Sequence, residues 1–447
     1  HSGDVMRIVI VGAGAVGSYL AERLAFEGQD VVVIEADPQR ARELQASVDC
    51  LVITANGASI QALEDARVAE AQLMIAVTSS DAVNVLASQA AARLGVPKRV
   101  ARVQDPTLRE DLEAHGVDIV IDPVEALANE LLLLVGRGGA SEVVEFAGGK
   151  INLFGGYVHA GSLLDGITLR ELRGRVTGWE WIVGAVVRNG TTFIARGDSR
   201  IEVGDHVLIM ANGDAAHEAL ELMGVDEHKA KKVFILGSTR LAVLTAENLV
   251  RAGISTVLVD IEADGCDELS AKYDRLVIVK GDPTDINVLK SEGVDTADIV
   301  IGATGWDEVN VLGCLVAKAL GAETTVARFS RIAYASLLAG NGIDAGVSTR
   351  LAAANEILRH IRRGQIYSVA TFQDTTAEAI EFQVGDESEA IGRTLHDIGL
   401  PKSAIVGGIV RGKDAFIPHG TTEIQAGDRL IAIALPQAIP SVEKLFA

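Results

Sequence analysis

One arrangement of apolar and polar positions recurs along the chain. Short runs of four or five apolar residues, many of them Val or Ile, alternate with longer stretches rich in Ala and Leu that end near a glycine. Short β-branched runs favour strands buried on both faces, and the longer stretches have the spacing of amphipathic helices. Their alternation is typical of consecutive βαβ units, so the pattern predicts an α/β fold built on parallel sheets.

This pattern is present twice. The segment "RIVIVGAGAVG" at 7–17 returns 225 residues later as "KVFILGSTRLA" at 232–242. Further along, "AVTSSDAVNVLASQAAARLG" at 76–95 returns as "GATGWDEVNVLGCLVAKALG" at 302–321. A repeat of this length indicates that one structural unit is built twice. We therefore expect two Rossmann-like domains.

A smaller unit rich in strand-forming residues follows each copy. Turn signals divide it, such as Asn189-Gly190, and a Gly-Asp pair precedes its last predicted strand at Gly204-Asp205 and at Gly427-Asp428. The predicted fold class is α/β, with two Rossmann-like parallel-sheet domains, each followed by a small α+β module. We name the predicted parts N1 (residues 6–138), C1 (139–225), N2 (230–364) and C2 (365–447). The polar segment 225–232 has the composition of a linker.

Two stretches with helical spacing close the N domains. They read "PVEALANELLLLVGRG" at 123–138 and "TRLAAANEILRHIRRG" at 349–364. Pro123 suits the first turn of a helix, and a glycine suits its end. The apolar face of each fits the core of its own domain or a partner subunit, and the sequence leaves both open.

A glycine loop is the clearest candidate for a binding site. Gly12, Gly14 and Gly17 have the GxGxxG spacing directly after a predicted strand and before a predicted helix at 18–28. In that setting Gly12 permits the tight turn, Gly14 lets the backbone approach a pyrophosphate, and Gly17 lets the helix pack on the strand. The helix N-terminus adds free N–H groups and positive potential. The alternative is a glycine-rich turn that only solves a packing problem.

An acidic residue supports the first interpretation. Glu35 ends the second predicted strand, 23 residues after Gly12. A carboxylate in this place accepts hydrogen bonds from both ribose hydroxyls, and its charge disfavours a 2′-phosphate. The first half is therefore predicted to bind NAD(H) rather than NADP(H).

The second half departs from the glycine loop. Thr239 and Ala242 stand where the second and third glycines would be, so each adds a β-carbon beside the expected phosphates. Asp260 keeps the acid, and Arg240 could meet a phosphate. The alternatives for N2 are a scaffold without ligand and a site for a different or weaker nucleotide.

Further polar residues follow the strands of N1. Thr78 and Ser79 come after the fourth predicted strand, and Arg102 ends the fifth. Doubly wound sheets bind ligands at this carboxyl edge, and arginine can bind a phosphate through two N–H groups. The alternatives are a solvated arginine at a strand end and a hydroxyl that caps a helix.

Composition and charge exclude several classes of partner. The formal net charge of −21 opposes direct binding to nucleic acid or to anionic lipid headgroups, and the aromatic content of 4% argues against a base-stacking surface. No run approaches the roughly 18 apolar residues of a membrane-spanning helix. The short polar segment before Met6 resembles an expression remnant rather than a secretory signal. Spacing of Cys50, Cys266 and Cys314 fits a reducing cytoplasm, so neither a disulfide framework nor a metal site is expected.

A catalytic apparatus is not evident in the sequence. The histidines are scattered and lack an accompanying nucleophile or paired carboxylates. C1 and C2 are too small to resemble the usual substrate domain of a dehydrogenase. We therefore expect a binding protein and no enzyme, with an NAD-dependent oxidoreductase as the alternative.

The order N1, C1, N2, C2, together with "IVGAGAVGSYLAERL", "VVVIEAD", "AVTSSDAVN" and "VARVQDP", resembles the TrkA family of bacterial potassium-uptake regulators. These are tandem RCK (KTN) proteins, and the resemblance covers nearly all of residues 6–447. It implies a cytoplasmic subunit, peripheral on the inner face of the plasma membrane, that forms a homotetrameric gating ring under a Trk potassium channel. The implied effectors are NAD(H), with ATP or ADP as alternatives. A ligand-sensing regulator of another cation transporter is a further alternative.

By position, the resemblance also assigns nucleotide contacts. In the first half these are Gly12, Ala13, Gly14, Ala15, Val16, Gly17, Glu35, Thr78, Ser79 and Arg102. The matching residues of the second half are Asp260, Thr304 and Arg328, although residues 238–242 depart from the glycine loop that many relatives keep.

Overall fold

The computed structural model describes residues 5–108, 112, 115–136, 140–176, 178, 180–224, 230–262, 267–330, 342–361, 366–372 and 375–446. Some predictions fall partly outside these ranges. They concern residues 1–4, residues 225–229 of the predicted linker, Cys266, and the ends of the two closing helices at 137–138 and 362–364.

N1 is a doubly wound parallel sheet, as predicted. Its strands are β1 (Arg7–Val11), β2 (Asp30–Glu35), β3 (Leu51–Thr54), β4 (Leu73–Ala76), β5 (Arg99–Arg102) and β6 (Ile119–Ile121), in the order β3-β2-β1-β4-β5-β6. Its helices are α1 (Ala15–Phe26), α2 (Pro38–Ser47), α3 (Ile60–Asp65), α4 (Asp81–Arg93) and α5 (Pro123–Gly136). All these strands are parallel, but β2 and β3 lie on one side of β1 and the next three strands on the other side. In sheets with this change of strand order, a crevice lies at the carboxyl ends of the two central strands, here β1 and β4.

Helices cover both faces of this sheet. Ile8 and Ile10 of β1 belong to the core on one face, and Val9 and Val11 to the core on the other. All four side chains are buried, which explains why the strand is an uninterrupted apolar run rather than an alternating one.

C1 is an antiparallel sheet with two helices. It contains β7 (Glu142–Phe146), β8 (Ile151–Tyr157), α6 (Leu169–Arg175), β9 (Trp181–Arg188), β10 (Thr191–Ile194), β11 (His206–Asn212) and α7 (Ala216–Met223). The strand order is β10-β9-β11-β8-β7. The predicted turn at Asn189-Gly190 joins β9 to β10, with φ of 51° and 73° at the two residues.

N2 repeats the topology of N1, in the order β14-β13-β12-β15-β16-β17. Its elements are β12 (Lys232–Leu236), α8 (Arg240–Arg251), β13 (Ser255–Asp260), α9 (Asp267–Lys272), β14 (Leu276–Lys280), α10 (Ile286–Ser291), β15 (Ile299–Gly302), α11 (Asp307–Leu320), β16 (Thr324–Arg328), β17 (Ala345–Val347) and α12 (Thr349–Ile361).

C2 repeats the antiparallel module, in the order β18-β19-β22-β20-β21. It contains β18 (Ile366–Thr371), β19 (Glu378–Gln383), β20 (Ala404–Arg411), β21 (Asp414–Phe416), β22 (Arg429–Ala434) and α13 (Ile439–Phe446). The predicted fold class, two Rossmann-like domains each followed by a small module, is confirmed.

The compact units do not follow the sequence order. One unit holds the described residues up to Ala126 together with α12 from Arg350 onward, and the other holds Leu127–Thr349 and C2. Within the first unit, Ala354 and Leu358 of α12 are buried in the core that covers one face of the N1 sheet. The apolar face of α12 therefore lies in a hydrophobic core, as one of the two alternatives predicted. That core covers the N1 sheet, however, and not the sheet of its own domain, N2.

Within the second unit, the C1 and C2 sheets pack face to face. Met210 and Ile433, at equivalent positions of the two modules, belong to one shared core. A Cβ on Gly184 would lie 2.2 Å from the Ile433 Cδ1 atom, and a Cβ on Gly407 would lie 2.9 Å from the Met210 sulfur. The two glycines thus occupy equivalent places, and each lets its strand approach the opposite sheet closely.

In the described part of the chain, no helix is both long enough and apolar enough to span a bilayer.

Candidate nucleotide-binding site

The glycine loop of N1 joins β1 to α1. Gly12 has φ of +104°, a backbone conformation that favours glycine, and its N–H donates to the Ile34 carbonyl at 2.8 Å. The helix begins at Ala15 and ends at Phe26, so the predicted bounds of 18–28 are wrong at both ends. Gly14 is the N-cap residue, and Gly17 lies inside the first turn. The free N–H groups therefore belong to a turn that begins at Ala15, three residues earlier than predicted.

The second and third glycines serve different purposes. A Cβ on Gly17 would lie 1.9 Å from the Gly12 carbonyl oxygen, so this position must lack a side chain for the helix to pack on the loop. A Cβ on Gly14 would meet no described atom within 4 Å. Gly14 is therefore not required by packing inside the protein, and its surroundings are open to a ligand.

The two halves differ at the N-terminus of the helix. Within the described chain, α1 has no side-chain cap, because Gly14 stands at its N-cap. In the second half Thr239 is the N-cap of α8; its hydroxyl accepts from Ala242 N–H at 3.3 Å and donates to the Ala303 carbonyl at 2.6 Å. Backbone donors that are open to an anion in N1 are thus partly satisfied by the protein itself in N2.

Glu35 holds the loop in place. One carboxylate oxygen accepts from Ala13 N–H at 2.5 Å and the other from Asp37 N–H at 2.8 Å, and the residue is 8% exposed. Asp260 makes the equivalent bonds to Ser238 and Glu262, at 2.5 and 3.0 Å. The acid at the end of the second strand thus has a positioning role in both halves. Its predicted contact with ribose stays a prediction, and each oxygen keeps acceptor capacity for it.

A buried asparagine, which the sequence analysis missed, ties two strand ends together. The Asn84 Oδ1 atom accepts from Thr78 N–H at 2.9 Å and from the Thr78 hydroxyl at 2.7 Å. Its Nδ2 group donates to the carbonyls of Thr78 and Arg102, at 3.1 and 2.9 Å. Thr78, Asn84 and Arg102 therefore form one fixed group at the carboxyl edge, and Ser79 is exposed beside it.

The second half contains the same group. Asn310 accepts from Thr304 N–H and hydroxyl, both at 2.7 Å, and donates to the carbonyls of Thr304 and Arg328 at 3.3 and 3.0 Å. Both asparagines are fully buried. The signal in the sequence was the asparagine shared by "DAVN" and "DEVN".

The two strand-end arginines differ in their contacts. In the described chain the Nε atom of Arg102 is buried without a hydrogen-bond partner. Burial lowers the pKa of Arg102, and the nearby Asp81 and Asp122 oppose this shift, so the side chain stays charged. The Nε atom of Arg328 is likewise without a partner, but its Nη1 group donates to the Thr304 carbonyl at 2.8 Å. Arg102 thus has more donors left for an anion.

The N1 crevice has the chemistry of a dinucleotide site. The uncapped turn of α1, the open position at Gly14 and the cation of Arg102 suit a diphosphate, and Glu35 at the end of β2 suits a ribose. Among the described residues, no group of three or more His, Cys, Asp or Glu side chains is placed to hold a metal ion.

Comparisons with known proteins give the same domain order. The family model for the TrkA-N domain matches residues 8–123 and 233–349, and that for the TrkA-C domain matches 157–224 and 379–447. The Trk system potassium uptake protein TrkA of Halomonas elongata is 33% identical, over 99% of this chain and 98% of its own. A TrkA homolog of Archaeoglobus fulgidus is 34% identical, over 99% of this chain and 100% of its own.

Solved structures with this fold include ion-channel domains. The GsuK RCK domain superposes with a TM-score of 0.59 at 21% identity, over 99% of this chain and 95% of its own. The GsuK channel bound to NAD gives a TM-score of 0.60 at 20% identity, over 99% of this chain and 79% of its own. Both show that the fold is shared, and the matches along the whole sequence show more: the chain belongs to the TrkA family of Trk system potassium uptake proteins, with a TrkA-N and a TrkA-C domain in each half.

Proposed function

We propose that this chain is the nucleotide-binding regulatory subunit of a Trk-type potassium uptake channel. The open glycine loop of N1, in a chain of the TrkA family, is the observation that carries this proposal. The subunit acts in the cytoplasm, assembles as a homotetrameric gating ring, and is held at the inner face of the membrane by its channel partner. It binds nucleotide without consuming it.

The effector of the first half is NAD(H), with ADP or ATP as alternatives. All of them carry a ribose and a diphosphate, which suit Glu35 and the uncapped turn of α1. Solved structures of the GsuK channel carry NAD in one case and ADP in another. The carboxylate of Glu35 favours NAD(H) over a 2′-phosphorylated dinucleotide.

The second half serves mainly as a scaffold. Thr239 caps α8 and bonds the end of β15, so the place of the open glycine is filled by a side chain that the protein itself uses. Arg328 in turn bonds the Thr304 carbonyl. These contacts support the scaffold role of the second half.

Regulation requires that nucleotide binds one shape of the ring better than another, because a ligand shifts an equilibrium only by its difference in affinity for the two states. The net charge of −21 suits docking on basic cytoplasmic loops of a channel.

Thermal unfolding with and without nucleotide tests the binding site. Native chain should be stabilised by NADH, by about 2.7 kcal/mol at 100 times the dissociation constant. Gly14→Leu should keep the unfolding temperature of the free protein, because the position is open, and should lose the stabilisation by nucleotide. Gly174→Leu is the matched control, since this glycine is exposed and open as well. Undiminished protection of Gly14→Leu would contradict the assigned site, and steady oxidation of NADH by the native chain would favour an oxidoreductase instead.

A further inference from the structure

Helix α12 brings a cation from the second half of the sequence into the first unit. Its apolar residues lie in the core of the N1 sheet, and Arg350 is its second residue. Only Ser348 and Thr349 separate Arg350 from β17, the last strand of the second sheet. Arg350 thus stands in one unit and is joined by two residues to the edge of the other.

Among the described residues, no acidic side chain forms an ion pair with Arg350. Its guanidinium carbon lies 5.5 Å from the ring centre of Tyr19. Within the described residues its Nε atom is buried and has no hydrogen-bond partner. A buried N–H group without an acceptor costs free energy that an anionic ligand would recover. The aromatic ring attracts the cation but offers no hydrogen bond in the guanidinium plane.

Tyr19 places this cation beside the first turn of α1. The residue lies four positions after Ala15, so the two share one face of the helix. Side chains of a helix lean toward its N-terminus, which directs the ring toward Ala15. Ala15 is exposed and follows the open Gly14. Ala15 and Tyr19 are about 6 Å apart along the helix axis, so the Tyr19 ring and the guanidinium of Arg350 beside it belong to the face of α1 that starts at the uncapped turn.

We propose that Arg350 is a second phosphate-binding cation of the N1 site. Its guanidinium binds the diphosphate of a nucleotide seated on the first turn of α1, from the side opposite the loop, while Tyr19 holds the cation ready in the free protein. This inference rests on the proposed function, because it requires a nucleotide in N1. It adds a residue that neither the glycine-loop spacing nor the order of the strands indicates.

The contact gives the nucleotide a route to the second half. Because Arg350 is tied to β17 by two residues, a phosphate that fixes the guanidinium also restrains the end of that strand. Because such coupling is reciprocal, a change that displaces α12 is expected to weaken nucleotide binding.

Calorimetric titration of the full chain with ADP, NAD and adenosine tests this inference. A charge-assisted bond to phosphate predicts that Arg350→Gln weakens ADP and NAD about tenfold or more and leaves adenosine unchanged. Arg350→Lys should recover part of the loss, because it restores the charge. Arg93→Gln, which removes an exposed cation from the last turn of α4, is the matched control and should change none of the three affinities.

The outcomes separate the two proposals. Unchanged ADP affinity in Arg350→Gln, in a native chain that binds ADP, overturns the inference and leaves the proposed function standing. An equal loss for adenosine and ADP also overturns it, because it indicates a packing role; Arg350→Met then checks whether packing alone restores binding. If the native chain binds none of the nucleotides, both proposals fall.

Discussion

Single glycines in the N1 loop are required for different physical reasons. Gly12 supplies a positive φ, Gly17 supplies room for the helix to contact the loop, and Gly14 supplies room that nothing in the described protein uses. The GxGxxG pattern therefore combines two structural requirements with one position that the described protein leaves open for the proposed nucleotide. Substitutions at the second and third glycines should separate them.

Gly17→Ala is expected to destabilise the first unit without needing any ligand. The new methyl would lie 1.9 Å from the Gly12 carbonyl oxygen, so the backbone of the loop must move. Overpacking of this kind costs about 1 to 3 kcal/mol or more. Urea unfolding followed by circular dichroism measures the loss, with Gly14→Ala as the control that should keep native stability. Equal stability of the two variants would contradict the packing role of Gly17.

A histidine in C1 makes stability depend on pH. His206 is fully buried, its Nε2 atom lies 2.9 Å from the Ser141 hydroxyl, and Glu142 and Tyr157 are beside it. Burial lowers the pKa of His206 to about 4. In the unfolded chain this histidine has its ordinary pKa, near 6.5. Between about pH 4 and pH 6.5 it therefore binds a proton in the unfolded chain but not in the folded chain.

Acidification should thus weaken the folded chain through this residue. Its contribution is present above pH 6.5 and is lost as pH falls toward 4, by at most about 3 kcal/mol from the pKa difference. His206→Asn should abolish this part of the pH dependence. Urea unfolding of both proteins at pH 7, 6, 5 and 4 gives the comparison, and parallel stability curves would contradict a buried neutral histidine.

At the scale of elements, strand ends are joined by buried side chains. Asn84 connects the ends of β4 and β5, and Asn310 connects β15 and β16 in the same way. Both hold a threonine and an arginine at the carboxyl edge. The repetition of this group in a half whose glycine loop is altered indicates that its first role is structural.

Replacing either asparagine with alanine should destabilise its own domain. Each change leaves buried backbone groups without partners, at a cost of about 1 to 3 kcal/mol. Only Asn84→Ala should also weaken NADH binding, because only N1 is assigned a nucleotide. Urea unfolding and NADH fluorescence titration distinguish the effects. Equal loss of NADH affinity in Asn84→Ala and Asn310→Ala would contradict the assignment to the first half.

The sequence predicted strands, repeats and the crevice, because short β-branched runs, period-3.6 patterns and glycine turns are local signals. The start of α1 at Ala15 was missed, since Ala15 and Val16 are as compatible with the loop as with the helix. Asn84 was missed because its buried amide depends in part on an acceptor 18 residues away in the sequence, the Arg102 carbonyl. The place of α12 could not be predicted either: an apolar helix face fits the first sheet as well as the second.

At the scale of the whole chain, elements of one half pack on elements of the other half in two places. C1 and C2 share one core between their sheets, with glycines at equivalent positions of β9 and β20. Helix α12 follows the second parallel sheet in sequence and packs on the first. The halves of the chain are thus not independent copies.

The shared core can be tested by overpacking one contact. Gly184→Leu should destabilise the chain by about 1 to 3 kcal/mol, because Ile433 occupies the space beside this glycine. Ile433→Ala should partly relieve the clash, so the double variant should be less destabilised than the sum of the single variants. Urea unfolding of the three proteins gives the cycle, and additive losses would contradict direct packing of β9 on β22.

Potassium flux tests the central proposal most directly, in liposomes that contain the Trk-type channel partner with and without this chain. NADH should change flux only when the chain is present, and Gly14→Leu should abolish the response while Gly174→Leu retains it. A flux that is the same with and without NADH in the presence of the native chain would contradict the proposal.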